Sequence, residues 1–285
     1  MQSQLRHHGH DPEADLIVVR PRDGEHSIRT DDLEVVLDQR GDEIALVLLS
    51  GVNYFSGQLF EMARITQAAK ARGCVVGLDL AHAVGNAVLH LHDWDIDFAV
   101  WCSYKYLNAG PGAVGGCFVH ERHGADASLG RFAGWWGNDP STRFQMQTQD
   151  RFVPSAGAEG WQLSNPSILA MAPLKASLDI FDAVGMDALR EKSLMLTAFL
   201  QNLLDRTPRG RIEIITPREP AARGCQLSLR VLRDAGELFR SLQAEGVVGD
   251  FREPDVIRVA PVPLYNTFHE VWRFASILTR LIGAS

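Results

Sequence analysis

Three residues near the ends of two apolar runs have types suited to chemistry at a carbonyl carbon. Lys105 lies inside the aromatic, apolar stretch FAVWCSYKYLNAG, where an unpaired ammonium is costly to bury. Desolvation lowers the pKa of a lysine and leaves its amine nucleophilic, as Schiff-base formation requires. By itself such a lysine reads more readily as a side chain that snorkels from a strand end. Asp79, which comes near the end of the run CVVGLDL, and His82, which follows in DLAH, alter that balance. Two consecutive strand ends place a carboxylate and an amine on the same sheet edge.

A carboxylate against a pyridine nitrogen keeps the ring protonated and able to accept carbanion electrons, which is what pyridoxal 5′-phosphate (PLP) chemistry asks of a protein. Taken alone, Asp79 reads equally well as an N-cap for the segment after its strand. Tyr104 and Tyr106 flank the lysine, and a tyrosine hydroxyl can hold a phosphate or act as a general acid. Strand alternation puts both opposite Lys105, which points to a core position for one or both. The glycines of NAGPGAVGG match no nucleotide-binding spacing and suit close backbone approach instead. His7, His8 and His10 belong to a polar leader, and His90, His92 and Asp93 lack ligand spacing, so no metal is expected. The GxSxG elbow of α/β-hydrolases is absent.

The elements that must position these residues alternate apolar runs with helical periodicity, an α/β pattern. Thr30, Asp31 and Asp32 can cap a helix to Gln39 that Gly41 ends, before a buried strand at 43–49. A helix at 57–72, with Phe60, Ile65 and Ala68 inward, leads to strands at 74–80, 98–102 and 115–120. Ligands of open α/β sheets bind beyond the carboxyl ends of strands, where Asp79, His82, Ser103 and Lys105 fall. A loose region at 124–166 precedes helices at 168–182 and 186–204. Strands at 226–231 and 256–260 and helices at 235–245 and 267–281 complete a smaller α+β part. The expected domains are 1–166, a PLP-binding large domain with a mostly parallel sheet, and 167–285, a linking helix with the small domain.

Composition excludes several classes. The 285 residues carry a net charge of −7 with both signs interleaved, so no basic face marks a nucleic-acid binder. Apolar runs fall far short of the roughly 20 residues of a membrane span, and the N-terminus has no secretory core. The four cysteines form no CxxC pair, which suits a reduced, cytoplasmic protein.

With these residues in place, the chain resembles kynureninase, a fold-type-I PLP enzyme related to class-V aminotransferases. The resemblance rests on SGVNYFSGQLF, VGLDLAHAVGN, LHDWDIDFAVWCSYKYLNAGPG, GWWGN, STRFQM, QLSNPSIL and IRVAPVPLYNTFHEVWRF, from about Ser50 to Phe274. It implies that Lys105 is the Schiff-base lysine, that Asp79 pairs with the pyridinium, and that His82 is its companion at the cofactor. It implies that Tyr104 binds the cofactor phosphate and moves protons, and that Ser50 contacts the cofactor. Trp135 and Asn165 would reach the phosphate region across a homodimer interface. Ser164 and Asn165 would recognise the aromatic substrate, and Arg258 would clamp its α-carboxylate, a bidentate task for a guanidinium. Without the resemblance, Trp135 reads as packing beside Trp136 and Arg258 as a surface ion pair.

The implied reaction is hydrolytic Cβ–Cγ cleavage of L-kynurenine or 3-hydroxykynurenine to L-alanine and an anthranilate, in tryptophan catabolism and NAD biosynthesis. Members of that family also carry an FPSD-type motif upstream of the point where SQLRHHG stands here, and this sequence holds none. The expectation is a large domain without its N-terminal portion, lacking a phenylalanine that stacks on the cofactor and part of the phosphate grip. Open edges and bare apolar faces would follow. The alternative to the hydrolase is a catalytically incompetent remnant or partner-dependent subunit of the same family. Cysteine desulfurase-like activity is disfavoured, because no cysteine stands in an evident catalytic loop.

Overall fold

Short apolar runs fold here into a three-strand parallel ladder with one antiparallel addition. The computed structural model describes residues 1–126, 128–208 and 210–283. Two short helices, α1 (Gln2–His7) and α2 (Pro12–Asp15), stand where the sequence suggests only a polar leader. Helix α3 (Thr30–Arg40) follows; its N-cap is Arg29 rather than the Thr30-Asp31-Asp32 group, which lies inside the first turn. Strand β1 (Leu46–Ser50) then pairs parallel with β2 (Val75–Asp79), and β2 parallel with β3 (Phe98–Cys102). Strand β4 (Gly115–Val119) runs antiparallel to β3.

Helix α4 (Met62–Lys70) crosses from β1 to β2. It buries Met62, Ile65, Thr66 and Ala69 against the sheet, a spacing of three and four residues that keeps one face inward. The helix is shorter than the expected 57–72. Val52 and Leu59 bridge each other, and Gln58 bridges Arg223, so these backbone groups are paired before the helix begins. Thr66 joins the buried face, Ala68 packs against it partly buried, and Phe60 is buried from the turn ahead of the helix.

One side of this sheet is packed and the other is bare. Val76, Leu78 and Ala99 are buried in the core beneath α4. On the opposite side Leu46, Leu48, Val75 and Val100 are each 40–46% exposed, and the register puts all four on one face. The strand expected to be buried at 43–49 is therefore corrected to Leu46–Ser50 with one exposed apolar face. An unbroken run such as LVLL reads as a strand covered on both sides, and nothing among the described residues covers the second.

Asp97 ties the far end of the sheet together. Its buried carboxylate accepts from Lys70 Nζ at 2.7 Å, Val76 N at 2.7 Å, Arg122 Nη2 at 2.6 Å and pairs with His123 at 2.7 Å. Burial alone would raise its pKa, but these donors outweigh it and hold the group ionised far below the usual carboxylate range. Arg122 and His123 belong to helix α5 (Glu121–Gly124).

After an irregular segment, α6 (Ile168–Val184) and α7 (Met186–Leu204) lead into a second, wholly antiparallel sheet. Its order is β5 (Ile212–Ile214), β6 (Leu227–Val231), β8 (Val256–Val259), β7 (Asp250–Arg252). The three-residue strands β5 and β7 are absent from the sequence reading. Helices α8 (Ala235–Ala244) and α9 (Phe268–Gly283) pack with α7 on this sheet, around Leu196, Leu229, Leu238, Ile257 and Leu278. The two sheets are joined at the site edge. Gln226 Nε2 donates to the Tyr54 carbonyl at 3.0 Å, and Cys225 N to Asn86 Oδ1 at 2.9 Å.

Candidate active site

The Lys105 turn is built by local bonds that require its neighbours. β3 ends at Cys102, and Ser103, 1% exposed, donates from Oγ to the Val114 carbonyl at 2.5 Å. Asn108 N donates to the Lys105 carbonyl at 3.0 Å, and Ala109 N to that of Ser103 at 3.1 Å. Asn108 sits at φ +53°, a left-handed conformation that asparagine tolerates better than most residues. Gly85, at φ +80°, lies directly beneath: a Cβ there would stand 2.7 Å from the Tyr106 carbonyl oxygen.

Ser50 and Asp79 are register partners at the carboxyl ends of β1 and β2. One oxygen of Asp79 accepts from Ala81 N at 2.9 Å, the capping arrangement its sequence position also suggested. Its other oxygen has no partner among the described residues. His82 lies within electrostatic reach of Lys105, Arg258, Asp79 and Arg252, and its ring meets that of Tyr106 edge-on at 5.9 Å. Burial first, and the Lys105 charge next, lower the pKa of His82 to about 4, so its imidazole is neutral at pH 7. Its Nδ1 is buried without a hydrogen-bond partner among the described residues.

Lys105 makes no hydrogen bond or ion pair among the described residues; its Nζ lies 5.7 Å from the Tyr104 ring centroid. Tyr104 is 53% exposed, and the neighbouring Cys102 thiol holds its hydroxyl above the usual phenol value. Tyr106 occupies the inner position. Burial raises its pKa, with the Cys225 thiol and hydroxyl of Tyr265 acting the same way and Arg258 opposing. The expectation that both tyrosines oppose Lys105 thus separates: Tyr104 faces solvent, and Tyr106 packs beneath His82.

Arg258, from β8, reaches this edge with its side chain 11% exposed. It donates from Nε to Asp250 at 2.6 Å and from Nη1 to the Tyr54 carbonyl at 2.5 Å. Asp250, Tyr54 and Cys225 escaped the sequence reading as neighbours of the site. They are joined by cross-strand and inter-sheet contacts that no local spacing signals.

Trp135, Ser164 and Asn165 stand apart. Trp135 is 44% exposed and packs edge-on with Phe144 at 5.8 Å, beside a 630 Å³ groove lined by Gly134, Asn138, Arg143 and Phe152. Ser164 and Asn165 are exposed and bond to each other at 3.4 Å. Among the described residues no bond or ring contact links these three to Asp79, His82 or Lys105.

The convergent residues fit a ring that carries a carbonyl at one position and a basic nitrogen at another. An unpartnered amine, an unpartnered carboxylate oxygen and an orphaned buried imidazole nitrogen face one sheet edge, each short of one bond that such a group supplies. Arg258 adds a cation within electrostatic reach of His82.

The Aminotransferase class-V family model matches residues 13–232, and the chain belongs to that family. A second model, Kynureninase C-terminal domain, matches residues 189–278. The chain is 55% identical over 274 residues to the kynureninase of Koribacter versatilis, covering 96% of this chain and 64% of the relative. It thus spans about two thirds of the length of the curated relatives it matches. Among solved structures, a cysteine desulfurase from Thermococcus onnurineus superposes with TM-score 0.79 at 17% identity, over 100% of this chain and 69% of that one. A C-DES variant with glycine covalently linked to its PLP cofactor gives TM-score 0.73 at 18% identity, over 87% and 63%.

Proposed function

We propose that this chain carries the active-site lysine and electron-sink carboxylate of a PLP-dependent hydrolase that cleaves L-kynurenine, or its 3-hydroxy form, to L-alanine and an anthranilate. The convergence of Asp79, His82, Lys105 and Arg258 on one sheet edge carries the reading. It is supported by the similarity to kynureninases over nearly the whole chain, and by the PLP named in a solved structure of the same fold. All four residues being present together does not favour a catalytically incompetent remnant.

When bound, PLP would supply an electrophilic carbon and a ring able to store the electrons of a substrate carbanion. Lys105 would hold it covalently through Nζ and, once released by an incoming amino acid, use that amine to move the α-proton. The partner-free oxygen of Asp79 would keep the ring nitrogen protonated, and Ser50, its register partner, would contact the same group. Neutral His82 would lie against the cofactor without adding a positive charge beside that nitrogen. Tyr104, next to Lys105 and open to solvent, would bind the phosphate and pass protons at the substrate carbonyl and Cβ. Arg258 would pair with the α-carboxylate.

The homodimer belongs to this proposal. Phe132, Phe144, Ile168 and Leu169 are 73–87% exposed on the segment that carries Trp135, Ser164 and Asn165, and burying that segment against a second copy would bring the three to a partner's site. The boundary at 166/167, a cytoplasmic location and a place in tryptophan catabolism and NAD biosynthesis are proposed with it. No described helix is long and apolar enough to cross a membrane.

The test is anthranilate release from L-kynurenine by the PLP-loaded chain. Activity lost in Lys105→Ala and reduced at least ~100-fold in Asp79→Asn is expected, the scale of losing one proton-holding group. No release by the wild-type chain, or undiminished release by Lys105→Ala, would overturn the proposal.

A further inference from the structure

The Nε–Nη2 edge of a guanidinium is one of the two that can grip a carboxylate through two parallel bonds. In Arg258 that edge is taken. Nε lies 2.6 Å and Nη2 2.5 Å from one and the same oxygen, Oδ2 of Asp250. The remaining nitrogen, Nη1, donates to the Tyr54 carbonyl. Asp250 and Arg258 are direct register partners on the edge strand β7 and its neighbour β8, so the pairing is set by the sheet rather than by a loose surface encounter.

Asp250 has a second cation. Arg252, two residues along β7 and so on the same face, donates from Nε to the same oxygen at 2.9 Å. Arg252 has no other partner among the described residues. Asp250 can therefore give up Arg258 and remain paired.

We propose that Asp250 is a resident carboxylate that occupies Arg258 between turnovers and is exchanged, onto Arg252, for the α-carboxylate of an incoming amino acid. This rests on the reading of Arg258 as the substrate's carboxylate partner. Asp250 is then a specificity-setting residue. A ligand must bring a carboxylate able to displace it, and a neutral analogue meets an arginine whose charge Asp250 already balances. Two carboxylates on one guanidinium edge would repel, so exchange rather than sharing is the physical outcome. The two Arg258 bonds pass from Asp250 to the incoming carboxylate, Asp250 keeps the bond it already accepts from Arg252, and no proton moves.

The test is equilibrium binding of L-alanine and L-alaninamide to the PLP-loaded full chain, followed by intrinsic fluorescence. Asp250→Asn keeps side-chain size, and its 45% exposed position makes it a mild change for the fold. Removing a competing charge-assisted bond is expected to tighten L-alanine about 10-fold, the scale of one such bond, and to leave L-alaninamide unchanged. In an Arg258→Ala background the gain should vanish. L-alanine binding that is weaker or unchanged in Asp250→Asn would overturn the proposal while leaving Arg258 as the carboxylate partner. If Arg258→Ala binds L-alanine as tightly as wild type, the assignment of Arg258 itself fails, and the exchange with it.

Discussion

Gly85 and the carbonyl of Tyr106 are in close approach: a side chain begun on Gly85 would put its Cβ 2.7 Å from that oxygen. The contact presses the loop after β2, which carries His82, onto the turn after β3, which carries Lys105. The spacing of carboxylate, imidazole and amine thus depends on a residue with no functional group.

Gly85→Ala is accordingly expected to cost more than its size suggests. It meets both a left-handed backbone at φ +80° and a backbone oxygen that cannot move aside. A loss of about 2 kcal/mol is expected, a midpoint shift of roughly 5 °C in a thermal melt. An unchanged melt would show that the two loops are not clamped there.

His82 gives a stability that depends on pH. Its folded pKa of about 4 lies below the ordinary histidine value near 6.5. Between those values the unfolded chain binds the proton and the folded chain does not, so stability falls as pH falls. The contribution is fully present above pH 6.5 and is lost as pH drops toward 4. His82→Gln should flatten the denaturant midpoint across that window. A wild-type and variant difference independent of pH from 7 to 4.5 would contradict it.

The residues near strand ends were legible because their signals are local. Asp79 comes near the end of an apolar run, and Lys105 interrupts another, so types and positions sufficed. The Arg258–Asp250–Arg252 arrangement was not legible. It depends on pairing β8 with a three-residue strand too short to announce itself, and on Tyr54 some two hundred residues earlier in the chain. The overlong helix at 57–72 failed for a related reason. Phe60 and Ile65 fit a helical face, but the backbone of Gln58 is claimed by a bridge to Arg223 in the second half of the chain. The doubly buried reading of LVLL failed because composition reports what a strand can bury, not what is there to cover it.

The bare sheet face should be measurable in solution. Leu46, Leu48, Val75 and Val100 are exposed on one face of the sheet, and exposed apolar surface binds hydrophobic dyes and promotes association. Leu48→Ser with Val100→Ser should reduce dye fluorescence and light scattering while shifting stability by only about 0.5 kcal/mol per exposed site. Undiminished dye binding would place the accessible apolar surface elsewhere.

The most direct test of the central claim is chemical labelling of Lys105. The full chain is incubated with PLP, reduced with borohydride, digested and mapped by mass spectrometry. The expected result is a phosphopyridoxyl group on the peptide containing Lys105, an absorbance band of amine-bound PLP that disappears on reduction, and loss of both in Lys105→Ala. Label spread over other lysines, with a band that persists in Lys105→Ala, would contradict the account.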